Sequence, residues 1–150
     1  FDEHRSSLER RHVAKARPTA WYRTIDRIWP QLVKVPKLVI PDIQANGTIG
    51  LDEGCYYPHH NVYFVTSESW DLRALKTVLR SEAILRQVRS LSVQMRGGSL
   101  RFQAQTLRRL RVPPVALLTS ADMANLSEPA ASSDQHAIDS IVGEVFARHL

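Results

Sequence analysis

A chain of 150 residues with 43% hydrophobic and 23% charged residues has the size and balance of one globular core, and no apolar run is long enough to cross a bilayer. The single cysteine, Cys55, excludes an internal disulfide and fits a reducing, cytoplasmic setting. The polar start from Phe1 to Arg11 does not read as a signal peptide, and a first residue other than Met is expected of a chain that begins inside a longer polypeptide. The net charge of +5 is unevenly spread: residues 1–72 carry nine basic and nine acidic groups, 73–111 ten basic against Glu82 alone, and 112–150 one basic against five acidic. Sixteen of the 20 basic residues are Arg, whose planar fork binds phosphate or guanine through two hydrogen bonds. A basic middle third is expected either to be a solvated helix face or to bind nucleic acid.

In chain order, Asp2 to Ala16 reads as a polar helix ended by Arg17-Pro18, with a thin apolar stripe of Leu8, His12 and Val13. Trp21 to Trp29 is a short segment rich in aromatics and charge. Lys37 to Ile43 is a strand candidate that Pro41 marks as an edge strand or ends early, and Asn46-Gly47 predicts a two-residue hairpin returning over Thr48 to Leu51. Asn61 to Thr66 is a second strand. Asp71 caps a predicted helix with Leu75, Val78 and Leu79 on one face and Arg73, Lys76 and Arg80 on another. Ser81 caps a further helix from Glu82 to about Met95, with Arg86 and Arg89 sharing a turn. Gly97-Gly98 breaks it, and Leu100 to Leu110 is predicted to resume helically until Pro113-Pro114. Ser120 to Gln135 reads as loop, and Gln135 to His149 as a last amphipathic helix burying Ile138, Ile141, Val142, Val145 and Phe146.

Catalytic sets are missing from this pattern. There is no glycine-rich nucleotide loop and no Gly-x-Ser-x-Gly elbow. Pro41-Asp42 and Asp52-Glu53 have the outline of a metal-dependent nuclease core, but Cys55 stands where that core needs Lys. Cys55, His59 and His60 lack a fourth ligand to close a zinc site. Three segments offer binding chemistry. In Trp21-Tyr22-Arg23-Thr24-Ile25-Asp26-Arg27, aromatics beside Arg can stack on bases, or the segment is a core anchor with surface arginines. In Met95-Arg96-Gly97-Gly98-Ser99-Leu100-Arg101-Phe102, two glycines let backbone N–H groups approach an anion between arginines, or simply break a helix. In Tyr56-Tyr57-Pro58-His59-His60-Asn61, flat and hydrogen-bonding groups crowd one loop, and Asn can pair with adenine.

Taken in order with Pro36 to Ile43 and Val112-Pro113-Pro114, these segments resemble the C-terminal specificity region of adenine-specific DNA methyltransferases of restriction–modification systems, the TaqI-like specificity domain. The resemblance runs from about Leu8 to Pro114. It implies an α+β fold, a small mixed or antiparallel sheet with packed helices. It also implies an upstream helix and linker over 1–20, a target-recognition domain over 21–115, a linker over 116–134 and a C-terminal helix over 135–150. It implies double-stranded DNA and an upstream methyltransferase domain of the same polypeptide as partners, and no membrane. The Asn/Asp-Pro-Pro-Tyr/Phe motif of such enzymes does not occur in this chain. S-adenosylmethionine is therefore expected in the parent enzyme and no cofactor, metal or catalytic residue in this fragment. The expected DNA contacts are Trp21, Tyr22, Arg23, Tyr57, His59, His60, Asn61, Arg73, Lys76, Arg80, Arg86, Arg89, Arg96, Gly97, Gly98, Arg101, Arg108 and Arg109. The helix-face arginines and Lys76 would meet mainly phosphates. Arg96, Arg101 and the 57–61 loop would lie near bases. The alternative expectation is a protein-interaction domain, its basic face docked on an acidic partner or on the parent's catalytic domain.

Overall fold

A computed structural model describes residues 2–23, 28–93, 97–131 and 134–149. The chain divides into two compact units, Phe1–Gln31 and Leu32–Leu150. In the first, two short helices, α1 (Arg5–Leu8) and α2 (His12–Ala16), replace the single helix expected over 2–16. The interruption follows from Arg11, whose backbone is extended at φ −63°, ψ 146° and whose guanidinium donates to the Leu8, Trp21 and Arg23 carbonyl oxygens. A thin apolar stripe gives a continuous helix little to bury, so these long-range bonds decide the path.

The second unit is a mixed α+β fold of small antiparallel sheets and several helices. Strand β1 (Lys37–Pro41) lies between β3 (Gly50–Asp52) and β4 (Val62–Val65), antiparallel to both. Leu38 and Ile40 alternate into the core, as a half-buried strand requires. The Asn46-Gly47 hairpin does not form as a two-residue loop, because Val39 already pairs with Gly50. The intervening chain is diverted at Asp42 into β2 (Ile43–Gln44), which pairs with β5 (Leu100–Arg101) as a separate two-stranded ribbon. Asp42 is the junction: its N–H donates to the Asn61 carbonyl beside β4, and its carbonyl accepts the Phe102 N–H beyond β5. Gly47 still makes a turn, at φ +62°, with Leu85 packed against its Cα.

Helix α3 (Leu72–Arg80) carries the apolar face read from the sequence, with Leu75, Val78 and Leu79 buried. Asp71 caps it by accepting the Arg73 and Ala74 N–H groups. It packs against α4 (Glu82–Leu91), α6 (Ser120–Ser127) and α7 (Gln135–His149), and against β1 and β3. Helix α4 stops at Leu91, short of the expected Met95. The stretch expected to be helical over 100–110 is β5 followed by the single-turn α5 (Ala104–Leu107). Its period is two rather than 3.6 at the start: Leu100 and Phe102 are buried while Arg101 faces outward. Residues expected as linker hold α6, closed by a capping box in which Thr119 and Asp122 bond reciprocally, with Leu126 fully buried. No helix among the described residues is long and apolar enough to cross a membrane.

Candidate nucleic-acid interface

The basic third of the sequence separates into groups with different electrostatic states. On α3, Arg73 is exposed and ion-paired with Glu53 at 3.2 Å. Lys76 and Arg80 are half-buried on the same side of the helix. Burial, and secondarily the charge of Arg80, lowers the Lys76 pKa from its ordinary value. On α4, Arg86 and Arg89 both reach Glu82, at 3.3 and 2.6 Å. The bond from Arg89 is the main cause of a lowered Glu82 pKa, with Arg86 adding to it. So three of the expected phosphate contacts, Arg73, Arg86 and Arg89, spend charge on carboxylates of their own chain.

Arg108, Arg109 and Arg111 differ. All three are exposed and none has an ion-pair partner among the described residues. Arg111 was counted in the basic third but not among the expected contacts. Its backbone is clipped to α4 by Gln87, which accepts the Arg111 N–H at 2.8 Å and donates to the Arg111 carbonyl at 3.0 Å. A glutamine side chain can imitate a strand's paired bonds in this way, and it ties the backbone at Arg111 to the helix. Nothing in a local pattern marks Gln87, because its partner is 24 positions away.

The 56–61 loop rests on a buried ion pair. Lys37 and Asp52 are opposite one another on β1 and β3, with Lys37 fully buried and Asp52 8% exposed. The Lys37 ammonium also donates to the Val35 and Val33 carbonyls. Asp52 additionally accepts the backbone N–H groups of Gly54, Cys55 and Tyr56. The Lys37 bond, then the Cys55 amide, hold its pKa down at about 2. Gly54 crosses the Lys34 backbone at φ +101°, where a Cβ would lie 2.8 Å from the Lys34 carbonyl oxygen, so only glycine fits. Beyond this foothold Tyr56, Tyr57, His59, His60 and Asn61 are all exposed. The two histidine rings lie 4.0 Å apart, and His59 Nδ1 accepts the Asn61 N–H at 3.4 Å. The structure thus brings together four of the loop residues expected at the interface, Tyr57, His59, His60 and Asn61.

Asn61 is joined through Asp42 to the β2–β5 ribbon, where Arg101 pairs with Asp42 at 3.0 Å. Gly97 and Gly98 precede β5 as an exposed turn at φ +86° and +79°, with open space around both Cα atoms. Arg96 lies outside the described residues. In the first unit, Trp21 is nearly buried, with the Arg5 guanidinium 5.2 Å from its ring centre, while Tyr22 and Arg23 are exposed. Trp21 is therefore a packing anchor as placed, and Tyr22 is the aromatic left available for stacking. Among the described residues, no group of three His, Cys, Asp or Glu side chains could hold a metal ion.

The acidic C-terminal third is largely occupied internally. Asp122 is 3% exposed and takes Thr119 and Arg148. Asp139 accepts the Glu82 N–H at the start of α4. Asp134 accepts the first amides of α7. Bonds from Thr119, with Arg148 and His149 nearby, lower the Asp122 pKa.

Comparison with known proteins finds the chain's sequence similar to part of several methyltransferases. The chain is 49% identical over 137 residues to the Type II methyltransferase M.XhoI of Xanthomonas vasicola. It is 46% identical over 146 residues to M.PaeR7I of Pseudomonas aeruginosa, and 39% over 146 residues to M.BstVI of Geobacillus stearothermophilus, both also Type II methyltransferases. These alignments take in 91–97% of the chain but 25–26% of the relatives. The chain spans about a quarter of the length of the curated relatives it matches. No family model matches it.

Proposed function

We propose that the chain is the DNA-binding target-recognition region of a site-specific adenine DNA methyltransferase of a restriction–modification system. It works beside an S-adenosylmethionine domain elsewhere in the same polypeptide. The observation that carries this reading is the likeness to Type II methyltransferases along 91–97% of the chain. The exposed arginines at 108, 109 and 111, without an ion-pair partner among the described residues, support a duplex grip, since a phosphate gains most from a cation without a carboxylate at hand. In this reading the chain holds and orients the duplex while the methyl-transferring domain takes an adenine out of the stack. The loop from Tyr57 to Asn61 and the β2–β5 ribbon offer the groups that would meet base edges.

The alternative is a protein-interaction domain whose basic face docks on an acidic partner or on the parent's catalytic domain, and the acidic C-terminal third could offer such a partner surface in another copy. Pairing of the basic face with that third in another copy is the less favoured form, because Asp122, Asp134 and Asp139 are already engaged in capping helices. Docking on another acidic partner or on the parent's catalytic domain is distinguished by the binding test below.

The test is duplex binding by the chain, followed by fluorescence anisotropy with random-sequence DNA across a salt series. Binding should weaken steeply with salt. Replacing Arg108, Arg109 and Arg111 with Ala should flatten the slope of log K against log salt by about 0.9 per lost phosphate contact, up to about 2.7 for the triple variant. No binding at low salt, or an unchanged slope in the triple variant, would overturn the assignment.

A further inference from the structure

The ion pair between Asp42 and Arg101 is one bond short of complete. A guanidinium facing a carboxylate ordinarily forms two parallel bonds. Here only Nη2 reaches Oδ2, at 3.0 Å. Arg101 Nε and Asp42 Oδ1 are both shielded from water and have no partner among the described residues, and neither does Gln44 Oε1. Leaving such groups unmet costs about 1–3 kcal/mol each, so a cluster of them in one place calls for an explanation.

The surroundings supply one. Arg101 and Ile43 are cross-strand neighbours and share the outward face of the ribbon, Ile43 being half exposed. A two-stranded antiparallel ribbon is of a size to enter the major groove, where Arg donates to guanine O6 and N7 and an apolar side chain meets the thymine methyl. Asp42 is held at both its backbone N–H and its carbonyl, so the backbone from which its carboxylate extends is fixed. A carboxylate at this distance also makes Arg101 a poor phosphate ligand, because the pair carries no net charge.

Building on the target-recognition reading above, we propose that Arg101 is a specificity-determining residue that reads a guanine edge in the major groove, with Asp42 as its positioning residue. In the free chain the pair is half closed. On the duplex the guanidinium turns to complete both bonds to Asp42, which leaves its outer N–H groups aimed at the base. The two orphaned atoms then satisfy each other.

The test selects preferred duplexes from a random-sequence pool with the wild-type chain, then measures affinity for the selected site, for single-base-pair variants of it and for random duplex. Arg101→Ala should lose preference for G·C at one position by about tenfold to a hundredfold. Its salt slope should stay unchanged, in contrast to the 108–111 variants. Arg101→Lys should lose the preference too, because Lys cannot make the fork. Asp42→Asn, which leaves Arg101 uncompensated, should tighten binding to random duplex, steepen the slope by about 0.9 and erode the preference. Thermal unfolding checks that the variants are folded. If Arg101→Ala keeps the wild-type preference, or weakens all duplexes equally with a flatter slope, Arg101 is not a base reader and the proposal falls while the target-recognition reading stands. Failure of the wild-type chain to bind any duplex overturns both.

Discussion

Two Asp–cation pairs lie in the same unit, one across β1 and β3 and one where the chain passes from β1 to the β2–β5 ribbon, and they are built to opposite standards. At Lys37–Asp52 both partners are buried. The ammonium takes two carbonyls besides the carboxylate, and the carboxylate takes three backbone amides besides the ammonium. At Asp42–Arg101 both partners are partly exposed, a single bond is made, and one donor and one acceptor are left over among the described residues. Buried charges persist only when paired and hydrogen-bonded throughout. The first pair meets that condition and acts as scaffold. The second does not, and the residue it holds incompletely is the one facing outward on the ribbon. The difference teaches that a salt bridge's role is better judged by which hydrogen bonds it leaves unmade than by its length.

The sharpest way to break the comparison is at the scaffold. Lys37→Met removes one partner of a buried pair and should destabilise the chain by about 3–5 kcal/mol in denaturant unfolding. A cost no greater than that of a surface substitution would show the two pairs to be alike. A pH titration of stability sharpens it further. The Asp52 pKa is depressed in the folded chain to about 2, below the unfolded value of about 3.9. Its contribution to stability is therefore present above about pH 4 and is lost as pH falls towards 2. Asp52→Asn should flatten the acid limb of the stability profile in that window. The Glu82 and Asp122 carboxyls, whose pKa values are also lowered, retain the remaining slope. The smallest effect is expected at the other pair: Asp42→Asn should move stability by less than about 1 kcal/mol, the ordinary value of a partly exposed ion pair. Its consequences should appear in DNA discrimination instead.

Local signals were legible in the sequence and distant ones were not. Asp71 and Ser81 declared both helix starts, the apolar spacing of Leu75, Val78 and Leu79 declared the buried face of α3, and Ile138, Val142 and Val145 that of α7. The Asn46-Gly47 signal was real as a turn but misleading as a hairpin, because pairing with Leu100 and Arg101 more than fifty residues later outweighed it. Helix α6 was hidden by a Ser- and Ala-rich composition, although Thr119 followed three residues later by Asp122 is a cap signature. For the candidate site, charge clustering located the basic third but not which arginines are neutralised. That depends on Glu53 folding against Arg73 and on Glu82 reaching two turns along its own helix. No local pattern marks the partners of Asp42, Gln87 and Lys37. These residues matter through partners that only the folded chain brings near.

The Asp52 carboxylate has a last implication for how such a chain can change over time. It grips the root of the 56–61 loop through main-chain amides of residues 54, 55 and 56, groups that every amino acid except proline possesses. Apart from the glycine required at 54, the foothold is indifferent to which side chains follow it. The loop can therefore be rewritten, by drift or by a protein engineer grafting a new cassette between Gly54 and β4, without renegotiating the strands beneath.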